Sequence, residues 1–326
     1  MTRSRFLHQP AAGAISTAIL GSSASHAAGS KGHLIVDTHQ HLWDLSTQNL
    51  PWLEGVPAIL NHSYRTAEYL EDTQGLNIKT VYMEVDVALE QEAAEAQWAV
   101  DLIGSGTAPT IAAVIGGRIN SPTFPDYIKP YQSNPLVKGV RQVLHVAETK
   151  PGHCLQDGFV RNVKLLGSIG KSFDLCMRAT ELMDGVKLAE QCPDTRFIVD
   201  HCGNPDLKAF RSPLADEERP KHTADEWRRA MEAFATRPNV ICKISGIIAN
   251  LQQGGDASDL APVVNHCLDT FGPERVVFGG DWPVCLLGAP LKRWVEFLAQ
   301  IIATRPAADQ QKLWAENALK FYALNV

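Results

Sequence analysis

Eight short β-rich runs alternate with longer helical stretches, and this alternation restricts the fold more than any other feature of the sequence. The runs lie at residues 34–36, 80–85, 111–115, 137–141, 172–177, 196–201, 239–244 and 275–281. Strands that alternate with helices of this length indicate βαβ units and therefore parallel strands. Eight such units across residues 33–326 predict one (β/α)8 barrel, the TIM-barrel fold, with a doubly wound sheet as the less favoured alternative.

Composition and charge exclude several classes of function. The 326 residues are 45 % hydrophobic and 20 % charged, which is typical of a globular protein. A net charge of −6 without a basic stripe argues against nucleic-acid binding. No apolar run is long enough to span a bilayer. Seven cysteines without a C-x-x-C pair predict buried free thiols.

The first 28 residues differ from the rest of the chain. Arg3 and Arg5 precede an Ala-rich, weakly apolar stretch, and Ser25-His26-Ala27 resembles a small-x-small cleavage site. The segment resembles a twin-arginine export signal, although Ser4 separates the two arginines. It predicts export of the folded protein to the periplasm. The alternative is a disordered tail on a cytoplasmic protein.

The first strand runs directly into the sequence Asp37-Thr38-His39-Gln40-His41. Because side chains at i, i+2 and i+4 share one face of a strand, Asp37, His39 and His41 are expected to point the same way. Two converging imidazoles can bind a metal ion or polarise a substrate oxygen. A lone His-x-His is weak evidence, but active sites of barrels lie at the C-terminal ends of strands.

Polar residues also follow several other strands. In chain order they are Glu84, Arg118, Arg141, His201, Lys243 and Asp281. Asp281 comes directly after an apolar strand and two glycines, and burial beside the histidines would suit a general base or a metal ligand. Glu84 and Lys243 have a structural alternative, a buried ion pair. The mouth of a barrel brings all these strand ends into one funnel.

Five motifs occur at these strand ends in a fixed order. They are Asp-Thr-His-Gln-His, Lys-Gly-Val-Arg, Val-Asp-His-Cys-Gly, Lys-Ile-Ser-Gly and Gly-Gly-Asp-Trp-Pro. The set resembles the amidohydrolase superfamily, and within it the amidohydrolase-2 branch, across residues 34–322. That branch contains sugar lactonases and a pyrone-dicarboxylate lactonase. The resemblance implies a hydrolase that opens a small cyclic ester, most simply a sugar-acid lactone.

The resemblance also implies roles for individual residues. Asp281 would be the general base, while His39, His41 and His201, or a zinc ion that they hold with Asp281, would polarise the carbonyl. Some members of the branch work without metal, so a metal-independent reaction stays open. The fifth strand ends in Leu175-Cys176-Met177, without the histidine of metal-rich members, so at most one metal ion is expected. Substrate binding is assigned to Arg141, Lys243, Glu84, Trp52 and Trp282.

Two other functions remain as alternatives. The same superfamily contains decarboxylases and hydratases of carboxylated rings, which would need a bound metal and a free arginine for the carboxylate. The second alternative is a non-catalytic barrel that binds a small molecule. The identity of the substrate depends on loops such as residues 45–61, 121–134 and 206–222, because loops vary freely on this scaffold. The sequence leaves the oligomeric state open.

Overall fold

A computed structural model describes residues 32–211 and 219–326, so the predicted export segment lies outside the described residues. Eight parallel strands form one sheet in the order of the chain. They are β1 (Leu34–Gln40), β2 (Asn77–Met83), β3 (Thr110–Gly116), β4 (Val137–Val143), β5 (Ser172–Cys176), β6 (Arg196–Val199), β7 (Val240–Ile244) and β8 (Val276–Phe278). The predicted (β/α)8 barrel is confirmed.

Helices follow each strand on the outside of the sheet. They are α1 (Thr66–Asp72), α2 (Glu92–Ser105), α3 (Phe124–Ile128), α4 (Asp157–Ser168), α5 (Leu182–Gln191), α6 (Ala224–Ala235), α7 (Ala257–Phe271), α8 (Leu291–Ile302), α9 (Ala307–Gln311) and α10 (Asn317–Phe321), with a π-helical turn at Lys312–Glu316. Within the described ranges, none of these helices combines the length and apolarity needed to cross a bilayer. All seven cysteines are buried free thiols, as predicted.

The two faces of the sheet have separate apolar cores. Inside the barrel, Val36, Val81, Val114 and Val277 pack with one another and with Tyr322 near the C-terminus. On the outer face, residues such as Phe173 and Cys242 pack against the helices. Alternation of side chains along each strand produces this division. Because apolar side chains fill the interior, polar groups at the C-terminal strand ends form a site above this core.

The barrel closes between the ends of β1 and β8. Gln40 pairs with Trp282 in a parallel bridge. The His41 N–H donates to the Trp282 carbonyl (2.8 Å), and the Asp281 N–H donates to the His39 carbonyl (2.8 Å). Closure therefore brings the two histidines of β1 beside Asp281, although about 240 residues separate them in the chain.

Asp37 fixes this closure from the outer face. Its buried carboxylate accepts hydrogen bonds from the N–H groups of His39 (2.9 Å) and Gly280 (2.6 Å) and from the Tyr69 hydroxyl of α1 (2.9 Å). A Cβ atom at Gly280 would lie 2.5 Å from the Asp37 carboxylate, so only glycine fits there. The register of β1 shifts between Asp37 and Gln40, which separates Asp37 from the face of His39 and His41.

We expect Asp37→Ala to lower the free energy of unfolding by about 3 kcal/mol or more, because it leaves several buried donors unpaired at about 1–3 kcal/mol each. Urea unfolding measures the change. Thr38→Val is the matched control, since Thr38 donates one buried hydrogen bond to the Phe278 carbonyl (2.7 Å), worth about 1 kcal/mol. Equal losses in the two variants would contradict the assigned role of Asp37.

Candidate active site

A cavity of about 290 Å³ opens at the C-terminal ends of the strands. This volume is near the lower limit for small-ligand pockets, about 300 Å³. Its lining includes the apolar side chains of Val143, Val284 and Leu287. The polar lining includes five residues that the sequence predicted for the site: His41, Trp52, Arg141, His201 and Asp281. The strand ends thus meet as predicted.

Asp281 lies among three histidines. Its Oδ1 atom is 3.6 Å from His39 Nε2 and 3.4 Å from His41 Nε2, and its Oδ2 atom is 4.0 Å from His201 Nδ1. His201 Nδ1 also lies 3.0 Å from the Ser245 hydroxyl. The arrangement brings together one carboxylate and three imidazoles, the groups that serve in acid–base chemistry, at separations longer than direct hydrogen bonds.

The hydrogen bond of His41 defines its tautomer. His41 Nδ1 lies 3.1 Å from the Met83 carbonyl, which can only accept, so the proton of a neutral ring is on Nδ1. The unprotonated Nε2 then faces the Asp281 carboxylate, another acceptor, at 3.4 Å. Two facing lone pairs repel unless a proton or a metal cation lies between them.

Lys243 lies beneath the site and not in its wall. Its fully buried ammonium contacts the carboxylates of Asp174 (2.8 Å) and Asp200 (3.0 Å) and lies 3.2 Å from His39 Nδ1. Although burial acts against the charge, the two carboxylates raise the pKa of Lys243. The substrate contact expected for Lys243 is replaced by this set of charges. Asp174 and Asp200 were missed because neither ends a strand in the predicted pattern.

Arg141 is also paired with a carboxylate. Its Nε donates to Glu84 Oε1 (2.5 Å), its Nη2 donates to the Glu84 carbonyl (2.9 Å), and its Nη1 lies 3.2 Å from His39 Nε2. Glu84 therefore pairs with Arg141 and not with Lys243, the partner that the sequence suggested. Arg141 reaches the cavity, while Glu84 orients it.

The two tryptophans have different positions. Trp52 lines the cavity, and its indole N–H donates to the Val85 carbonyl (2.7 Å). Trp282 is completely buried, and its indole N–H donates to the Asp72 carboxylate (2.6 Å). Trp282 also packs edge-on against Tyr64 and Tyr69. Trp282 therefore supports the closure of the barrel and does not line the cavity, where the sequence placed it.

Left-handed backbone conformations mark the cavity. Among the described non-glycine residues with positive φ, four line it: Asp86 (49°), His201 (52°), Asn204 (50°) and Asp281 (56°). Such conformations cost about 1–3 kcal/mol each and cluster at functional sites. Asp86 and Asn204 are additional site residues that sequence reasoning missed, because each lies just past a strand end, in a loop whose course the sequence pattern does not define.

Burial lowers the pKa of His39, His145 and His201, so these three rings are neutral near pH 7. Burial, followed by the nearby Lys243 ammonium, holds the pKa of His39 well below its ordinary value. Burial likewise lowers the pKa of His201, and it lowers that of His145 in the cavity wall to about 4. These rings can therefore accept or donate single hydrogen bonds without adding positive charge to the cavity.

Comparison with known proteins identifies the family. The amidohydrolase family model, of the amidohydrolase-2 branch, matches residues 36–324. The chain belongs to the amidohydrolase family. An L-fucono-1,5-lactonase from Burkholderia multivorans is 28 % identical over 306 residues, which cover 90 % of this chain and 97 % of that protein. An L-rhamnono-gamma-lactonase from Scheffersomyces stipitis is 25 % identical and covers 88 % of this chain and 98 % of its own length.

A solved structure is similar over the same range. A zinc-bound amidohydrolase from Burkholderia multivorans superimposes with a TM-score of 0.76 at 25 % identity, covering 90 % of this chain and 100 % of its own. These matches support a hydrolytic enzyme, as the motifs predicted.

The donor set of this amidohydrolase fits one metal ion. Donor atoms of His39, His41 and Asp281 lie within 4.8 Å of one another, and those of His39, Asp200 and His201 form a second such group. The facing lone pairs of His41 and Asp281 favour a cation in the first group. In the second, the Lys243 ammonium contacts both His39 and Asp200. A second metal ion is therefore disfavoured by charge.

We expect Lys243→Met to lower the free energy of unfolding by about 3–5 kcal/mol, because it leaves the charges of Asp174 and Asp200 buried without their partner. Lys187→Met is the control. Lys187 forms an exposed ion pair with Asp184 at 3.0 Å, and such pairs contribute about 0–1 kcal/mol. Chemical denaturation of both variants measures the difference, and a loss below 1 kcal/mol for Lys243→Met would count against the buried pair.

Proposed function

We propose that this amidohydrolase hydrolyses a small, uncharged lactone, most simply a sugar-acid lactone. The observation that carries the proposal is the position of Asp281, a carboxylate in the lining of the cavity that lies within 4.0 Å of His39, His41 and His201. The names of the two lactonase relatives support the same substrate class. A cavity of about 290 Å³ suits a substrate of this size.

The charges of the site favour a neutral substrate. Among the described residues that line the cavity, Arg141 is the single lysine or arginine, and Glu84 already neutralises it. Asp86 in the wall is paired with Arg118 (3.1 Å). A carboxylated ring would therefore bring a negative charge toward Asp281 without a free lysine or arginine to receive it. This argues against the dicarboxylate and decarboxylase alternatives.

In the proposed reaction Asp281 takes a proton from a water molecule, whose oxygen attacks the lactone carbonyl. Arg141 and His201, which both line the cavity, stabilise the negative charge that develops on the carbonyl oxygen. When the ring C–O bond breaks, the proton on Asp281 passes to the departing ring oxygen, which becomes a hydroxyl group. The products are a hydroxy acid, as its carboxylate, and one released proton.

A divalent metal ion remains part of the proposal as an option. His39, His41 and Asp281 would hold it, and it would act as a Lewis acid on the carbonyl or on water. Asp281 would then have to serve both as a metal ligand and as the base, and a base needs a free lone pair to accept a proton. If Asp281 acts as the base, only the imidazoles of His39 and His41 remain as ligands in this group. Two imidazoles bind a metal ion more weakly than two imidazoles and a carboxylate, which is consistent with a reaction that proceeds without metal.

A panel of substrates tests the proposal. Neutral aldonolactones, a carboxylated pyrone and hydroxybenzoates are incubated with the enzyme, while acid release, carbon dioxide release and melting temperature are followed. We expect acid release from at least one neutral lactone and turnover at least about tenfold slower for carboxylated rings. Carbon dioxide release would identify a decarboxylase, and a thermal shift without turnover would identify a binding protein.

We expect Asp281→Asn to lower kcat by about two to four orders of magnitude, because the amide cannot accept the proton from water. Asparagine preserves shape and tolerates the left-handed conformation at this position, so the variant should remain folded. Steady-state kinetics on the best lactone, with a melting curve for each variant, measure the effect. Turnover close to that of the wild type would remove Asp281 from the mechanism.

We also expect at most one zinc ion per chain and a lower kcat in His201→Ala, whether or not metal is present. His201 faces the cavity and lies beside Asp281, so its removal takes away a group that polarises the carbonyl in either reaction. Elemental analysis of the purified protein and kinetics before and after chelation test both statements. Two metal ions per chain would contradict the first, and full activity in His201→Ala the second.

A further inference from the structure

Three cysteines meet on the outer face of the barrel. Cys202 follows β6, Cys242 lies within β7, and Cys267 lies in α7. All three are completely buried, and their sulfur atoms lie within 4.8 Å of one another. The other four cysteines of the chain belong to no comparable group of donors among the described residues. A cluster of three thiols from three separate elements is an arrangement that packing alone does not require.

The cluster is separate from the catalytic cavity. Lys243 points into the barrel, where it contacts His39, so its neighbour Cys242 points outward to the helices. The helix α7 covers that face and contributes Cys267. Trp227 of α6 lies beside this region, and its indole N–H donates to the Cys202 carbonyl (2.8 Å). Neither Cys202, Cys242 nor Cys267 lines the cavity.

The spacing of the three sulfur atoms fits a metal ion. A metal–sulfur bond of about 2.3 Å in a planar three-sulfur site places the sulfur atoms about 4.0 Å apart. The present separations, at most 4.8 Å, need a contraction of less than about 1 Å, which rotation of the cysteine side chains can supply. Three cysteine ligands without oxygen or nitrogen donors select soft cations over Mg²⁺ or Ca²⁺.

We propose that Cys202, Cys242 and Cys267 form a binding site for one soft d10 cation of the class of Cd(II), Hg(II) or Cu(I). Each thiol that becomes a ligand releases its proton, and no electron is transferred. The cation would then connect β7, α7 and the turn after β6.

Cadmium titration of the reduced full-length protein tests the site. Thiolate-to-cadmium charge-transfer absorption reports sulfur ligands and ignores the histidines of the catalytic cavity. We expect the absorption to saturate at one cadmium ion per chain and the melting temperature to rise, since the ion binds the folded state. Absence of this absorption in the folded wild-type protein would overturn the proposal.

Matched cysteine variants locate the ligands. Cys267→Ala should lose about one third of the absorption and bind cadmium at least about tenfold more weakly, whereas Cys192→Ala, a buried cysteine outside the cluster, should behave as the wild type. If Cys267→Ala does not fold, Cys242→Ala and Cys202→Ser test the same ligand set. Unchanged titration in a folded variant of the cluster, or an equal loss in Cys192→Ala, would refute the assignment.

Discussion

The candidate active site depends on the two ion pairs of the buried Lys243 ammonium. A buried charge is tolerated only with partners, and Lys243 has Asp174 and Asp200 at 2.8 and 3.0 Å. The same ammonium lies 3.2 Å from His39 Nδ1 and so helps to orient the ring that faces Asp281. A positive charge built into the protein thus occupies the side of His39 where a second metal ion would otherwise bind. Because Lys243 lies beneath the cavity and does not line it, its charge is not available to a bound substrate.

The sequence predicted the barrel and the residues at its strand ends, because period, turn residues and motif order are local properties. It did not predict how charges pair. The sequence allowed an ion pair between Glu84 and Lys243. In the structure, Glu84 pairs with Arg141, and Lys243 pairs with Asp174 and Asp200. The direction of Asp37 also escaped prediction, because the irregular register at the end of β1 interrupts the strict alternation of side chains.

The hydrogen bonds that close the barrel also maintain the strained backbone conformation of Asp281. Residues in left-handed conformations at the cavity, among them Asp86 and Asp281, store about 1–3 kcal/mol each. Such strain persists only where surrounding bonds over-determine the chain. Asp281 meets this condition, since its N–H donates to the His39 carbonyl and its neighbour Gly280 donates to Asp37. The hydrogen bonds that close the barrel are therefore also those that hold the proposed base in position.

The pleat of β7 extends this argument to the outer face. Lys243 points inward to His39, and Cys242 points outward to two other thiols. On the neighbouring turn, His201 lines the cavity while Cys202 joins the thiol cluster. In each pair of neighbouring residues, one side chain belongs to the candidate active site and the other to the thiol cluster. The two sites therefore share backbone segments but no donor atom. A cation held by the thiols would restrain the same backbone segment that positions His201. The outer cluster is therefore connected to the candidate active site through the peptide bond between His201 and Cys202 and not through a shared ligand.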